Sequence, residues 1–312
     1  MSLNWRDWPV PLHSSAEVLA ELAENFQFYD DDILVNTFPK CGTTLVQEIV
    51  SCLVLGPERT RTTDLKLRSP FIDLNLPPEL PVPRPIDGAK KLDRPRVLKT
   101  HLPPAFHMRH LVAPSGPRNI IVMRNPKDAI VSTYHHMTSA RRDELSGVPQ
   151  EFSQFWRMML GIPGGAENTE IVVHDFFDFN LSWWSMRRHS RVLILFYEDL
   201  IVDKTAEVKR MAEFLSTPLT EALLHSVLQQ TSFSAMQSNP MVNITLTDPS
   251  AGVPAQILFV AVKSATGNGI SPLRMPSWLT ELLRRNWPAR VCNFATSECE
   301  LNLIFYDCLM GR

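Results

Sequence analysis

Four short runs of apolar residues constrain the fold of this 312-residue chain more than any other feature of its sequence. They cover residues 33–38, 97–100, 119–123 and 192–197. Runs that are nearly continuous, rather than alternating with polar residues, are typical of parallel strands buried on both faces. Because helical patterns separate these runs, the sequence predicts an α/β fold with three layers, in which a parallel sheet carries helices on both faces.

The clearest helical patterns follow the first and third runs. Apolar residues recur on one face of residues 45–53, and Ile130, Tyr134 and Met137 share a face after the third run. The second of these helices has a favourable start, because Asn125 can act as N-cap and Pro126 suits the first helical position. A further helix is expected at residues 204–215.

All 312 residues are expected to form a single domain that contains two long irregular stretches. The first, at about residues 57–95, includes a run of prolines, each of which fixes φ and lacks a backbone donor. The second, at about residues 244–276, is rich in glycine, proline, serine and alanine. Both are interpreted as loops outside the regular elements.

Composition and charge exclude several classes of partner. The chain has 31 Lys and Arg against 33 Asp and Glu, so its overall charge favours neither nucleic acid nor a membrane surface. No secretory signal is visible, and the apolar stretch at residues 49–55 is far shorter than the ~20 residues of a membrane span. Five cysteines without a C-x-x-C pair argue against a disulfide framework or a zinc site. The sequence therefore predicts a cytoplasmic protein with reduced thiols and no metal.

The loop after the first run, within residues 36–45, is the first candidate anion site. A helix that begins there supplies unpaired N–H groups, Gly42 lets the backbone approach a ligand, and Lys40 adds a positive charge. Thr43 and Thr44 add hydroxyl donors. The alternative interpretation is an ordinary capped helix, with Thr44 as N-cap and residue 47 closing a capping box. This stretch alone does not choose between the two, and it lacks the Walker sequence G-x-x-x-x-G-K-[ST].

Two more chemically suggestive groups follow strand ends. Arg124 comes at the end of the third run, where its planar guanidinium suits bidentate phosphate recognition, and Ser132 lies two helical turns later. His101 follows the second run, where it can act as a general base, with Lys99 two residues earlier. The alternatives are an arginine paired with a carboxylate and a structural histidine.

Taken together, these motifs resemble those of the cytosolic sulfotransferases that use 3′-phosphoadenylyl sulfate (PAPS). Residues 37–45 resemble the family's T-Y-P-K-S-G-T-T-W loop, residues 99–103 match its K-T-H-L-P run, and residues 124–135 match its R-N-[AP]-K-D-x-x-x-S-x-Y-H signature. Residues 196–200 resemble its F-Y-E-D stretch, and residues 231–241 resemble its T-S-F-x-x-M…N-P-M segment. Five matches in the family's order are far more specific than any one of them.

The resemblance implies a P-loop-like, sulfotransferase-type domain that transfers a sulfuryl group from PAPS to a hydroxyl or amine of a small, apolar acceptor. Adenosine 3′,5′-bisphosphate is then the product, and no metal is required. The resemblance implies that His101 is the general base, that Lys40 and Lys99 stabilise charge during transfer, and that Ser132 holds Lys40 away from the donor until the acceptor arrives. It also implies a set of nucleotide-binding residues: Lys40, Cys41, Gly42, Thr43, Thr44, Leu45, Arg124, Ser132, Tyr197, Thr231, Ser232, Phe233, Met236 and Arg274.

The acceptor class and the oligomeric state stay open at the level of sequence. Phenols, alcohols, steroids and amines all suit an apolar pocket, and several aromatic side chains either line such a pocket or belong to the core: Phe71, Phe106, Phe152, Phe155 and Trp156. A homodimer is possible, but the family's K-x-x-x-T-V-x-x-x-E dimer motif is not recognisable around residues 290–300.

The sequence departs from the family pattern at three places. Leu45 replaces a tryptophan, Cys41 replaces a serine, and the C-terminal R-K-G-x-x-G-x-W element that grips the 3′-phosphate is altered, with Arg274 as the one substitute for its arginine. The alternative function is therefore a catalytically impaired, nucleotide-binding or scaffold homologue. A nucleotide kinase ranks third, because the Walker lysine is missing.

Overall fold

The computed structural model describes residues 4–11, 13–76, 82–139, 149, 151–159 and 176–243, with the backbone alone at Lys127 and Ser139. These residues belong to a unit that spans Met1–Phe259. The expectation of one domain over all 312 residues therefore stays a prediction. The expected loop at residues 244–276 lies outside the described residues.

The described residues contain a four-stranded parallel sheet. Its strands are β1 (Ile33–Thr37), β2 (Val97–Thr100), β3 (Arg118–Met123) and β4 (Val192–Phe196), and their order across the sheet is β2-β1-β3-β4. The bounds agree with the four apolar runs to within one residue. The chain leaves β1 toward β2 on one side and returns to β3 on the other, which creates a crevice at the carboxyl ends of the strands, where open α/β sheets bind ligands.

Helices connect and cover the strands. They are α1 (Ala16–Ala20), α2 (Thr43–Leu55), α3 (Pro57–Thr62), α4 (Leu65–Arg68), α5 (Pro85–Lys90), α6 (Met108–Val112), α7 (Pro126–Ser139), α8 (Phe152–Met159), α9 (Phe176–Ser185), α10 (Tyr197–Val202), α11 (Lys204–Leu215), α12 (Glu221–Gln230) and α13 (Phe233–Ser238). Single turns of other helix types lie at Trp5–Asp7, Glu21–Asn25 and Pro104–His107. The predicted starts of α2, α7 and α11 are confirmed to within two residues.

Alternate residues of the central strands point to two separate apolar clusters. On one face, Ile33 and Val35 of β1 pack with Ile120 and Val122 of β3 against buried residues of α2, α11 and α12. On the other face, Leu34 packs with side chains of the N-terminal segment, α5 and the turn at Pro104–His107. Both faces of the sheet are therefore covered, and the predicted three-layer arrangement is confirmed.

The interpretation of residues 57–95 as irregular is wrong in part. This stretch contains α3, α4 and α5, and Phe71 forms a parallel bridge with Lys99 of β2. Two of its prolines, Pro57 and Pro85, lie at the first helical position, where the missing N–H has no helical acceptor to lose. Proline therefore marks helix starts here. Within the described residues, no helix has both the length and the apolar character needed to cross a membrane.

Candidate active site

All four strands direct chemically distinctive residues to the same edge of the sheet. The loop after β1 carries Lys40, β2 ends beside His101, Arg124 follows β3, and Tyr197 follows β4. Because the strands are parallel, their carboxyl ends meet at one edge. The three strand ends that carry the predicted site residues therefore share this edge, and the end of β4 joins them.

The loop between β1 and α2 has an unusual backbone. Lys40 has a φ of 65° and Gly42 a φ of 98°, both in the left-handed region. Gly42 is the N-cap residue of α2, and no side chain caps this helix. The capped-helix interpretation is therefore wrong: the helix begins at Thr43, and the amide of Gln47 donates instead to Ser69. The first-turn N–H groups of α2 are left facing the crevice for an anion.

The structure gives Cys41 a structural position in this loop, whereas the sequence predicted a ligand-binding one. Its N–H group, expected to cradle the ligand, donates to the carbonyl of Phe38 at 3.3 Å, because residues 38–41 close a tight turn. Its side chain is fully buried, and burial raises the pKa of the thiol to about 12. Cys41 therefore shapes the loop as a small neutral side chain. The hydroxyl of neighbouring Thr43 is also engaged, in a 2.6 Å hydrogen bond with the hydroxyl of Thr37.

Three cations, Lys40, Lys99 and Arg124, meet at this edge. Desolvation, together with the charges of Lys99 and Arg124, lowers the pKa of Lys40 to about 8. Desolvation likewise lowers the pKa of Lys99 to about 8, although the charge of Asp73 opposes that shift. Within the described residues, none of the three cations forms an ion pair. Buried cations that repel one another and form no ion pair are suited to a polyanionic ligand.

Arg124 ties the β1 loop to the segment that follows β4. Its Nη1 donates to the carbonyl of Lys40 at 2.8 Å, and its guanidinium lies 4.3 Å from the ring centroid of Tyr197. Its buried Nε has no hydrogen-bond partner among the described residues. The following backbone N–H, of Asn125, donates to Glu198 at 2.9 Å. Arg124 is therefore held in place while part of its guanidinium stays available to a phosphate.

Tyr197 also explains why residue 42 is a glycine. A Cβ atom at this position would lie 2.6 Å from the Cδ2 of Tyr197, and the φ of 98° disfavours any other residue. We expect Gly42→Ala to lower the free energy of unfolding by about 1–3 kcal/mol and to weaken donor binding, because the loop and Tyr197 must both shift. Urea denaturation and bisphosphate titration measure the two effects.

Gly88 in α5 is the matched control for this substitution. Nothing lies within 4 Å of a Cβ placed there, and Gly88 is helical. Gly88→Ala is expected to raise stability by about 0.4–1 kcal/mol and to leave ligand binding unchanged. Equal behaviour of the two variants would contradict the steric role given to Gly42.

The imidazole of His101 is oriented by its neighbours. Its Nδ1 lies 2.6 Å from the carbonyl oxygen of Thr37, and since a carbonyl only accepts, Nδ1 carries the hydrogen. Desolvation and the nearby Lys99 hold the pKa of His101 well below its ordinary value. The ring is therefore neutral at physiological pH, and Nε2 keeps a lone pair. This is the state that a general base requires.

The backbone around His101 is fixed from two sides. Asp73 accepts a hydrogen bond from the N–H of His101 at 3.1 Å. The carbonyl of Leu102 accepts from the amide of Asn36 at 2.8 Å and from the indole of Trp183 at 3.1 Å. These bonds join β1, β2 and α9 at the residue that follows the imidazole.

Sequence reasoning missed two residues of the site, Asp73 and His13. Asp73 is fully buried, and its Oδ2 lies 2.9 Å from Nε2 of His13. Burial opposes ionisation of Asp73, but the hydrogen bond and charge of His13 outweigh it and lower the pKa of the carboxyl. The one signal in the sequence is a single acidic residue in the otherwise apolar run of residues 70–74.

The other predicted nucleotide-binding residues lie in different surroundings. Leu45 packs with Met236 in one small apolar cluster, so the structure brings these two together. The hydroxyl of Ser232 caps α13, and the carbonyl of Thr231 accepts from Lys204 at 2.5 Å. Thr44 lies in the first turn of α2. Phe233 is the first residue of α13 and is half-exposed. Arg274 lies outside the described residues.

Ser132 is buried on α7. No hydrogen bond joins it to Lys40 in the part of the chain that the structure describes, and its restraining role stays a prediction. The same holds for the dimer motif, which falls outside the described residues. Among the described residues, no cluster of His, Cys, Asp and Glu is arranged to hold a metal ion.

Comparisons with known proteins agree with this geometry. The sulfotransferase-domain model matches residues 30–255. The chain is 32% identical over 227 residues to human Sulfotransferase 1C2, with 70% of each chain covered, and 32% identical over 255 residues to Sulfotransferase 1A1 of Bos taurus, with 81% of each covered. Mouse sulfotransferase SULT7A1, solved with PAP, has a similar fold, with a TM-score of 0.63 at 21% identity over 94% of this chain and 95% of that one. Retinol dehydratase, solved with retinol and PAP, gives a TM-score of 0.58 at 23% identity. That match covers 76% of this chain and 75% of the other.

Proposed function

This chain belongs to the sulfotransferase family of enzymes, and we propose that it transfers a sulfuryl group from PAPS to a hydroxyl or amine of a small, apolar acceptor. One observation carries the proposal: three unpaired cations and an uncapped helix N-terminus surround a neutral imidazole at the carboxyl edge of the sheet. The cations suit a polyanionic donor, and the imidazole suits an acceptor that must lose a proton.

The charge of the donor fits this set of residues. PAPS carries about four negative charges at neutral pH when its 3′-phosphate is counted as nearly dianionic. Lys40, Lys99, Arg124 and the N–H groups of α2 provide the counter-charge locally, in a chain whose net charge is −2. We assign Arg124 to the 3′-phosphate and the β1 loop to the phosphosulfate, while Leu45 and Met236 contact the adenine. The PAP-bound relatives support this assignment of the donor.

His101 begins the proposed reaction. Its Nε2 accepts the proton of the acceptor as the acceptor oxygen or nitrogen attacks sulfur. PAPS supplies the sulfuryl group and, on the side opposite the attack, a phosphate leaving group. Lys40 stabilises the negative charge that develops on the leaving oxygen, and Lys99 neutralises the sulfuryl oxygens. The pKa of His101 is depressed, so the base is unprotonated before the acceptor arrives.

The acceptor is proposed to enter past the edge of Phe71. The ring centroid of Phe71 lies 4.8 Å from that of His101 and 3.9 Å from Nζ of Lys99. Phe106, Phe155 and Trp156 are buried in the core, and Phe152 packs against Tyr134. Among the described residues, Phe71 is the member of the predicted set that contacts the ring of the base. We also propose a cytoplasmic location, where Cys41 and Cys52 stay as free thiols.

A labelled-transfer assay tests the proposal. The full-length chain is incubated with PAPS labelled in the sulfuryl group and with a panel of phenols, alcohols and amines, and labelled product is measured. Adenosine 3′,5′-bisphosphate is expected to stabilise the protein by about 2.7 kcal/mol at a hundredfold excess over its Kd.

The two readouts separate the alternatives. Stabilisation by bisphosphate without transfer to any acceptor would favour the nucleotide-binding homologue that lacks catalysis. Absence of both would overturn the proposed function. A matching titration with ATP and Mg²⁺ serves as the control for a nucleotide kinase.

A further inference from the structure

A second imidazole lies beside the proposed base. The ring centroids of His13 and His101 are 5.9 Å apart, and the two rings meet edge to face at 87°. His13 also stacks on Phe71, with a centroid distance of 5.0 Å and an interplanar angle of 29°. The three rings therefore form one continuous surface, with Phe71 in contact with both imidazoles.

His13 is held in a defined orientation. Its Nε2 donates to Oδ2 of the fully buried Asp73 at 2.9 Å, because a carboxylate can only accept. Its backbone carbonyl accepts the N–H of Asn75 at 2.8 Å. His13 is thus fastened by its side chain and its main chain to the segment that also holds the N–H of His101.

The second nitrogen of this ring is available for recognition. Nε2 is committed to Asp73, so Nδ1 is the remaining hydrogen-bonding atom of His13. The side chain is 25% exposed, whereas the side chain of Asp73 is not exposed at all. The imidazole of His13 is therefore held by a buried carboxylate and is partly accessible to solvent next to the base.

We propose that His13 is a specificity-determining residue that selects acceptors with a second hydroxyl on the carbon next to the one that bears the attacking group, such as vicinal dihydroxyarenes. The inference rests on the proposed function. In such an acceptor, one hydroxyl gives its proton to His101, and the neighbouring hydroxyl hydrogen-bonds to His13. The arene contacts the edge of Phe71, because His13 stacks on one face of that ring and Nζ of Lys99 lies over the other.

The test compares catechol with phenol, which differ by one hydroxyl. The ratio of their kcat/KM values is measured for the wild type, for His13→Leu and for His13→Gln. Glutamine keeps a donor for Asp73 but has no imidazole, so it separates recognition from folding. Differences in the intrinsic reactivity of the two acceptors cancel when each variant is compared with the wild type.

We expect both variants to lower the catechol-to-phenol ratio about tenfold, since one hydrogen bond is lost from one acceptor alone. In His13→Gln, stabilisation by bisphosphate should match the wild type, and the loss of kcat/KM should be larger for catechol than for phenol. His225→Leu, which removes an exposed imidazole from α12, is the control and should leave the ratio unchanged.

Two results would overturn the inference. Equal losses for catechol and phenol would give His13 a structural role alone, and an unchanged ratio in His13→Gln would place the second hydroxyl elsewhere. Wild-type protein that transfers to neither acceptor, nor to any other in the panel, would count against the proposed function itself. The failure of the inference and the failure of the function are thereby distinguished.

Discussion

Replacement of His101 with alanine is expected to lower kcat for sulfuryl transfer by about 10²–10⁴-fold while binding of adenosine 3′,5′-bisphosphate is retained. The variant removes the Nε2 lone pair that accepts the acceptor's proton. The cations Lys40, Lys99 and Arg124 stay in place, so the donor site keeps its charge. Single-turnover kinetics with labelled PAPS, beside a bisphosphate titration, measure the two effects.

His107 supplies the matched control. It is also buried, and both of its ring nitrogens lack a hydrogen-bond partner in the described part of the chain. His107→Leu therefore removes a buried imidazole without breaking a hydrogen bond, and turnover should stay near that of the wild type. If kcat of His101→Ala equalled that of the wild type, His101 would not be the general base. A similar loss of turnover in His107→Leu would mean that the effect comes from packing.

Lys40→Met is expected to lower kcat by about 10²–10³-fold, because it removes a preorganised charge at the leaving oxygen. Methionine has a similar length and no charge, and it also relieves the repulsion with Lys99 and Arg124. Lys66→Met is the control, since Lys66 is exposed on α4. The measurement is the single-turnover rate at saturating PAPS.

The pH profile of the wild type, measured beside that of Lys40→Arg, provides a second readout. Burial and neighbouring cations lower the pKa of Lys40 to about 8, so its charged form is lost as the pH rises through that value. The kcat/KM for PAPS in the wild type is therefore expected to fall above pH 8, and Lys40→Arg should fall less steeply because arginine stays charged. On the acid side, the depressed pKa of His101 keeps its imidazole neutral well below pH 6.5. We therefore expect kcat/KM for PAPS to stay constant further into the acid range. A flat profile to pH 10 would contradict the role of Lys40.

Much of the fold was predictable because its signals are local. Parallel strands that are buried on both faces read as continuous apolar runs, and helix starts such as that of α7 need one N-cap residue and one proline. The resemblance of five short motifs to the sulfotransferases is confirmed by the family match over residues 30–255. The roles of the individual site residues are proposals that the experiments above test.

The interpretation was wrong where a local signal had two meanings. Thr44 and residue 47 fit a capping box, but the helix begins two residues earlier than that box requires, and the amide of Gln47 donates to Ser69 of another segment. Prolines between residues 57 and 95 were taken as loop residues, whereas Pro57 and Pro85 open helices. In each case the choice depended on partners that are distant in sequence.

The sequence by itself determined the strands and the residue types that follow them, because burial on both faces and turn chemistry are set by neighbouring residues. Only the tertiary structure decided which distant groups would meet. Asp73 lies 28 positions before His101 and 60 positions after His13, yet it bonds to both. The order β2-β1-β3-β4 and the close packing around the crevice create these contacts, and no periodicity along the chain encodes them.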